Sequence, residues 1–177
     1  IILAEGTTID AKTFGTGQGS LVTLTANQQV RIKDSLITME TRGEATDTGP
    51  GGDLTINAAD IVLTDGAIID AASLSTGQGG LVRLQATDQI RISGQKTLIN
   101  SSSYGPGAAG IIDIQATNLL LEENARMLST SGFEHSSSDL GLSRTGAAGR
   151  ILINLSDTFW MGGASQIDTS TAGSGKA

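Results

Sequence analysis

The chain has 177 residues, no cysteine, 24 glycines and only 3% aromatic residues, with a formal net charge of −7. Without cysteine there can be no disulfide and no thiolate metal site. The acidic balance argues against nucleic acid or an anionic membrane surface as partner, and no apolar run is long enough to insert into a bilayer.

The chain opens with Ile1 and Leu3 in alternation, a Glu5-Gly6 turn, and a short segment anchored by Ile9. Gly19-Ser-Leu-Val-Thr-Leu-Thr-Ala26 follows, with Val22 and Leu24 alternating, then Val30/Ile32 and Ile37. The same three-part order returns as Leu54/Ile56, Ile61/Leu63, a turn at Asp65-Gly66, and Ile69. It returns again as Val82/Leu84, Ile90/Ile92 and Ile99, and then as Ile112/Ile114, Leu119/Leu121 and Leu128. The last copy is Ile151/Ile153, Phe159/Met161 and Ile167. Each part is a short period-two run rich in Ile, Val, Leu and Thr, which is the strand signal.

Residues 1–32 and 61–92 align without a gap, and more than half of the positions are identical. The basic unit recurs roughly every thirty residues, a length typical of solenoid repeats. Insertions fall at 40–51 and 129–148, both between a third strand and the next first strand. No segment carries a sustained helical stripe. The expected fold is therefore all-β: a right-handed parallel β-helix, with three strands per rung, five to six rungs and almost no helix. Residues 1–177 form a single β-solenoid segment, about 25–30 Å long at the usual strand spacing.

Ile1 falls in mid-rung, and the final Ser/Thr/Gly-rich stretch resembles 73–79, which leads into another strand. No polar cap of the kind that terminates solenoids is legible. The chain reads as a piece of a longer rod; the alternative is a subunit whose ends join those of other copies.

Chemistry is sparse. The outward row of the third strands reads Asp10, Thr38, Asp70, Asn100, Ser129, Asp168, with its acids on non-adjacent rungs and no proton partner in view. It reads as a solvated polar ladder, with weak cation binding as the alternative. The single histidine, His135, lies near Glu134 and Asp139 in a Ser/Gly-rich insertion and reads as solvated loop. Gly49-Pro-Gly-Gly-Asp53 does not recur as a calcium-binding nonapeptide would. Thr16-Gly-Gln-Gly19 and Thr76-Gly-Gln-Gly79 lack the Lys-Ser/Thr and the helix of a phosphate loop. No catalytic residue, cofactor or metal ligand is assigned.

Two surface features stand out. Leu36, Ile68, Leu98 and Met127 precede the third-strand anchors on the outward side, and Leu120 and Trp160 belong to the outward row of the second strands. Exposed apolar rows mark interfaces, and Trp is favoured at their energetic centres. The long insertion holds Phe133, Glu134, His135 and Arg144, the expected recognition loop, because repeat proteins build binding surfaces from insertions along one edge.

Gly51-Gly-Asp-Leu-Thr-Ile-Asn-Ala58 and Ile61-Val-Leu-Thr-Asp-Gly-Ala-Ile-Ile-Asp-Ala71 resemble the repeat region of filamentous-haemagglutinin-like exoproteins of two-partner secretion systems. The resemblance covers nearly the whole chain and is poorest over 131–148. It implies a large protein, secreted through a dedicated outer-membrane partner and displayed on a bacterial surface as an adhesin or stalk. The family's secretion domain carries Asn-Pro motifs, whereas the only prolines here are Pro50 and Pro106. The resemblance therefore points to the shaft and transfers no functional residue. The function expected is a structural and adhesive rod segment, extracellular or on the cell surface. Its partner would be a copy of itself or a ligand on a host or neighbouring cell. A self-assembling filament subunit is the first alternative, and a polysaccharide-active β-helix the second.

Overall fold

In the computed structural model, residues 1–43, 49–74, 76–132 and 146–171 are described. Seventeen strands follow in chain order: β1 (Ile2–Leu3), β2 (Thr8–Asp10), β3 (Thr13–Phe14), β4 (Leu21–Thr25), β5 (Gln29–Lys33), β6 (Leu36–Thr38), β7 (Thr41–Arg42), β8 (Asp53–Thr64) and β9 (Ile68–Asp70), then β10 (Leu81–Ser93), β11 (Leu98–Asn100), β12 (Ile111–Ala116), β13 (Asn118–Glu122), β14 (Arg126–Leu128), β15 (Arg150–Leu155), β16 (Phe159–Met161) and β17 (Gln166–Asp168). Every pairing between them is parallel. No helix occurs among the described residues. The chain is an all-β solenoid with parallel strands stacked turn upon turn, and the third-strand sheet is six strands deep: β2, β6, β9, β11, β14, β17.

The first and second strands form one sheet rather than two. In β8 and β10 they are a single bent strand, with the bend marked by a register shift between Ala86 and Gln89. The connecting residues, Ala58-Ala-Asp60 and Ala86-Thr-Asp88, contain no Gly or Pro, so nothing forces the backbone out of the extended region.

Like residues stack on like. Val30 and Ile32 pair with Ile61 and Leu63, which pair with Ile90 and Ile92, and these with Leu119 and Leu121. Ile37, Ile69 and Ile99 form the third-strand column. All of these are buried in one continuous aliphatic core. Each side chain removed from water in this way contributes about 1.5–3 kcal/mol.

One rung corrects the expected register. Ile99 pairs with Met127, not Leu128. Met127 is 0% exposed and belongs to the core, so it leaves the outward apolar row. The cause is the turn before it. Glu123 and Asn124 both have positive φ (58° and 64°), as Asp65 and Gly66 do (54° and 90°). Glu123-Asn-Ala125 therefore repeats Asp65-Gly-Ala67, and the second residue after the alanine turns inward in both. The shift also moves Ser129 out of the polar row, whose fifth member is Leu128.

The Ser/Thr- and Gly-rich segments form a ladder of their own. Thr13, Thr41, Ser73, Ser103, Ser131 and Thr171 pair in succession, one per rung. Four of these hydroxyls donate to the carbonyls of the neighbouring glycine-rich turn: Thr41 to Pro50 at 2.6 Å, Ser103 to Gly77 at 3.1 Å, Ser131 to Gly107 at 3.1 Å and Thr171 to Gly146 at 3.0 Å. In that turn Gly49, Gly77, Gly107 and Gly146 stack so closely that a Cβ on any of the last three would lie 2.0–2.1 Å from the carbonyl oxygen of the glycine one rung before. The Thr-Gly-Gln-Gly repeats are thus a steric requirement of stacking.

Candidate functional site

The corner that follows the third strand concentrates the polar chemistry of the described residues. Asp10, Asp70, Asn100 and Asp168 each accept a hydrogen bond from the backbone N–H two residues on: Lys12 (3.3 Å), Ala72 (3.1 Å), Ser102 (3.2 Å) and Ser170 (2.8 Å). This is the Asx turn that lets a short side chain reverse its own backbone. The polar row is therefore corner chemistry repeated at four rungs rather than a fully solvated ladder.

At Asp70 the row gains a partner from another column. Glu40, two residues beyond Thr38 on the rung before, hydrogen-bonds the Asp70 carboxyl. Arg42 holds Glu40 in place, with Nε and a terminal nitrogen 2.8 and 2.7 Å from Oε2. Asn100 Nδ2 donates to Asp70 Oδ1 at 3.0 Å and to the Tyr104 hydroxyl at 3.3 Å. Burial and the neighbouring Glu40 carboxylate push Asp70 up from 3.8 to about 7. Burial also raises the Tyr104 phenol, reinforced by Asp70 and Glu40. Two carboxyl groups in contact cannot both ionise at low cost, so the pair holds one proton to near neutrality.

A row of exposed side chains runs beside this cluster. Phe14 and Arg42 pair across β3 and β7, and Leu74 and Tyr104 follow the next two members of the hydroxyl ladder. Phe14 is 75% exposed, and a cleft of about 490 Å³ opens among Phe14, Gly15, Arg42, Gly43 and Leu74. Sequence reasoning missed this row. Its signal was present: a large residue follows the Ser or Thr in Thr13-Phe14, Thr41-Arg42, Ser73-Leu74 and Ser103-Tyr104.

A second concavity follows the bend of the main sheet. It encloses about 710 Å³ and is lined by the carboxamides of Asn57, Gln85, Gln115 and Asn154 and the hydroxyls of Thr87, Thr117 and Ser156. Gln85 Nε2 donates to Gln115 Oε1 at 3.0 Å, so the amides bond up the ladder. None of its lining residues is charged.

Among the described residues no three His, Cys, Asp or Glu side chains cluster as metal ligands. The chain matches no family model, no curated protein and no solved structure.

The sequence-predicted surface residues fall into two separate columns. Leu36, Ile68 and Leu98 stack on one another and are half-buried, and the column then continues to Arg126, not Met127. The second-strand row runs Ile2, Arg31, Val62, Arg91, Leu120, Trp160 in unbroken register. Trp160 is 49% exposed and Leu120 half-buried. Arg91 is tied to Glu122 at 2.7 Å. Phe133, Glu134, His135 and Arg144 lie outside the described residues.

Proposed function

We propose that this chain is a rod segment of a secreted, surface-displayed bacterial exoprotein of the filamentous-haemagglutinin-like kind. Its role is mechanical and spatial. Stacked parallel strands resist extension, set a distance between whatever lies at the two ends, and present repeated rows of side chains to neighbours. The observation that carries this reading is the unbroken register. The same inward columns continue from rung to rung, and each rung is held by its neighbours alone, as in other quasi-one-dimensional repeat proteins. The half-apolar columns and the exposed Phe14–Tyr104 row are the surfaces available to a ligand or a second rod.

A non-enzymatic role is favoured by the geometry of the one carboxyl pair described. Glu40 and Asp70 are in direct hydrogen-bond contact, whereas cleavage of a glycosidic bond needs two carboxyl groups about 5–9.5 Å apart. The filament alternative draws on the last described rung, where Leu152, Phe159, Trp160 and Met161 are exposed. In that alternative, another copy of the chain covers this face.

Immunogold labelling with antibodies against this segment tests the main reading. Label on intact producing cells or in their medium is the expected result, and label confined to the cytosol overturns it. Light scattering of the isolated segment separates shaft from filament. A shaft segment stays monomeric at high concentration. A filament subunit polymerises, and Trp160→Ser combined with Leu120→Ser abolishes that polymerisation while leaving the strand signal in circular dichroism intact.

A further inference from the structure

A groove runs along the solenoid at the bend of its main sheet. Each of four successive rungs contributes one carboxamide to it, in register: Asn57, Gln85, Gln115 and Asn154. Ala58, Ala86 and Ala116 pack on the core from below and form its apolar floor. No lining residue is charged, although charged residues make up 16% of the chain. The two middle amides are fixed by bonding to each other and to the sheet. Gln85 Nε2 donates to Gln115 Oε1 at 3.0 Å, and Gln115 Nε2 lies 3.3–3.4 Å from the two Asp113 carboxylate oxygens. The amides at the two ends, Asn57 and Asn154, make no side-chain hydrogen bond among the described residues, and neither does the Thr87 hydroxyl between them. The groove therefore combines a preset wall with donors and acceptors that the fold leaves open.

We propose that this groove binds a neutral, extended glycan chain lying along the solenoid axis. A hexose ring has an apolar C–H face and a rim of hydroxyls. The alanine methyls receive the face, and the carboxamides and the Thr87 hydroxyl receive the rim. Carboxamides suit this task because each both donates and accepts, as a sugar hydroxyl does. A few placed polar groups over an apolar floor is the usual make-up of a ligand site. Because the Gln85–Gln115 wall is already ordered, binding does not have to freeze it. Two other occupants fit less well. An extended peptide advances about 3.3 Å per residue against about 4.8 Å between rungs, so it loses register with the amides. A hexose unit in an extended β-linked chain advances by close to one rung. An anionic polymer meets no cation in the lining, and Arg83, two residues before Gln85, is committed to Asp113 at 2.9 Å. Four rungs at about 4.8 Å each accommodate about four hexoses. The inference concerns binding alone, with no bond made or broken, and holds for a shaft segment and a filament subunit alike.

Calorimetric titration of the purified chain with β-1,4-linked glucose and N-acetylglucosamine oligomers of two and four units tests it. Tetragalacturonate and a hexapeptide of Ser and Gln represent the other occupants. One saturable site is expected for at least one of the two neutral tetramers, with its dimer at least about tenfold weaker. In an NMR titration the side-chain NH₂ signals of Asn57, Gln85 and Asn154 shift with the same saturation. Asn57→Ala and Asn154→Ala break no side-chain hydrogen bond of the fold, and each weakens binding about fivefold, the worth of one hydrogen bond. Thr23→Ala, exposed on the same sheet outside the groove, leaves binding unchanged. The proposal is overturned if neither neutral tetramer binds saturably, or if dimer and tetramer bind equally. It is overturned equally by full affinity in the folded Asn57→Ala, Asn154→Ala double variant, or by tighter binding of tetragalacturonate or the peptide.

Discussion

Glu40 and Asp70 sit on adjacent rungs in different columns, yet their carboxyl groups meet, and burial together with the charge and hydrogen bond of Glu40 raises Asp70 to about 7. A column-by-column reading compares only equivalent positions. Glu40's own column is Lys12, Glu40, Ala72, Ser102, Thr130 and Ser170, and it announces no acid pair. The pairing exists because the chain turns a corner at that point and brings position 40 over the next rung's Asx turn.

The pair makes stability depend on pH in a defined direction. The folded state raises Asp70 from 3.8 to about 7, so folding favours its protonated form. That contribution is fully present below about 3.8 and is lost as pH rises through about 7. In Asp70→Asn the side-chain amide donates to Glu40 as the proton did, at every pH. The Tm of the wild type minus that of Asp70→Asn therefore falls progressively between about pH 4 and pH 8. A difference that stays flat or rises contradicts the shared proton.

The glycine column sets the closest approach between rungs. A Cβ at Gly77 meets the Gly49 carbonyl oxygen at 2.0 Å, and neither backbone can retreat without breaking the ladder. Gly77→Ala is expected to cost at least about 3 kcal/mol, at the upper end of overpacking penalties. At Gly6 nothing lies within 4 Å, but φ is +74°. Gly6→Ala should therefore cost only about 1–2 kcal/mol, from the strained backbone. Urea unfolding of both variants measures the contrast.

The register at the fifth rung has an equally direct test. Met127 is fully buried, while Leu128 is half-buried and faces outward. Met127→Ala should lose about 2–5 kcal/mol, the range for large-to-small changes in a core. Leu128→Ala should lose less than about 1 kcal/mol. The reverse order would restore the register expected from the sequence.

Arg83 and Asp113 form the cross-rung pair with the most buried acid, the aspartate side chain being 8% exposed and the arginine 40%. Replacing Arg83 by Met keeps its aliphatic stem but leaves the Asp113 carboxylate with Gln115, whose Nε2 lies 3.3–3.4 Å away, as its remaining side-chain donor. Loss of about 1–3 kcal/mol in chemical denaturation is expected, largely recovered by Arg83→Met with Asp113→Leu. Failure of the second change to recover stability would show that the loss does not come from leaving the Asp113 carboxylate without its cation.

Much of this molecule was legible in the order of its residues. Strand positions, the thirty-residue unit and nearly every inward column follow from period-two alternation, because a parallel coil must place equivalent side chains at equivalent depths. Met127 and Ser129 were misplaced because the register there depends on two residues with positive φ, Glu123 and Asn124, neither of which is the glycine that marks the turn elsewhere. The hydroxyl ladder from Thr13 to Thr171 and the stacked glycines looked like loop composition, since single bridges give no alternation to read.

The sequence by itself determined the repeat, the strand periodicity and the aliphatic columns, because these are local patterns multiplied by stacking. Only the tertiary structure decided which side chains meet across a corner: Glu40 with Asp70, and Asn100 with Tyr104. Those meetings depend on how sharply the backbone bends between strands. Bend angles arise from Asx turns and close glycine contacts between rungs, and no periodicity within one rung encodes them.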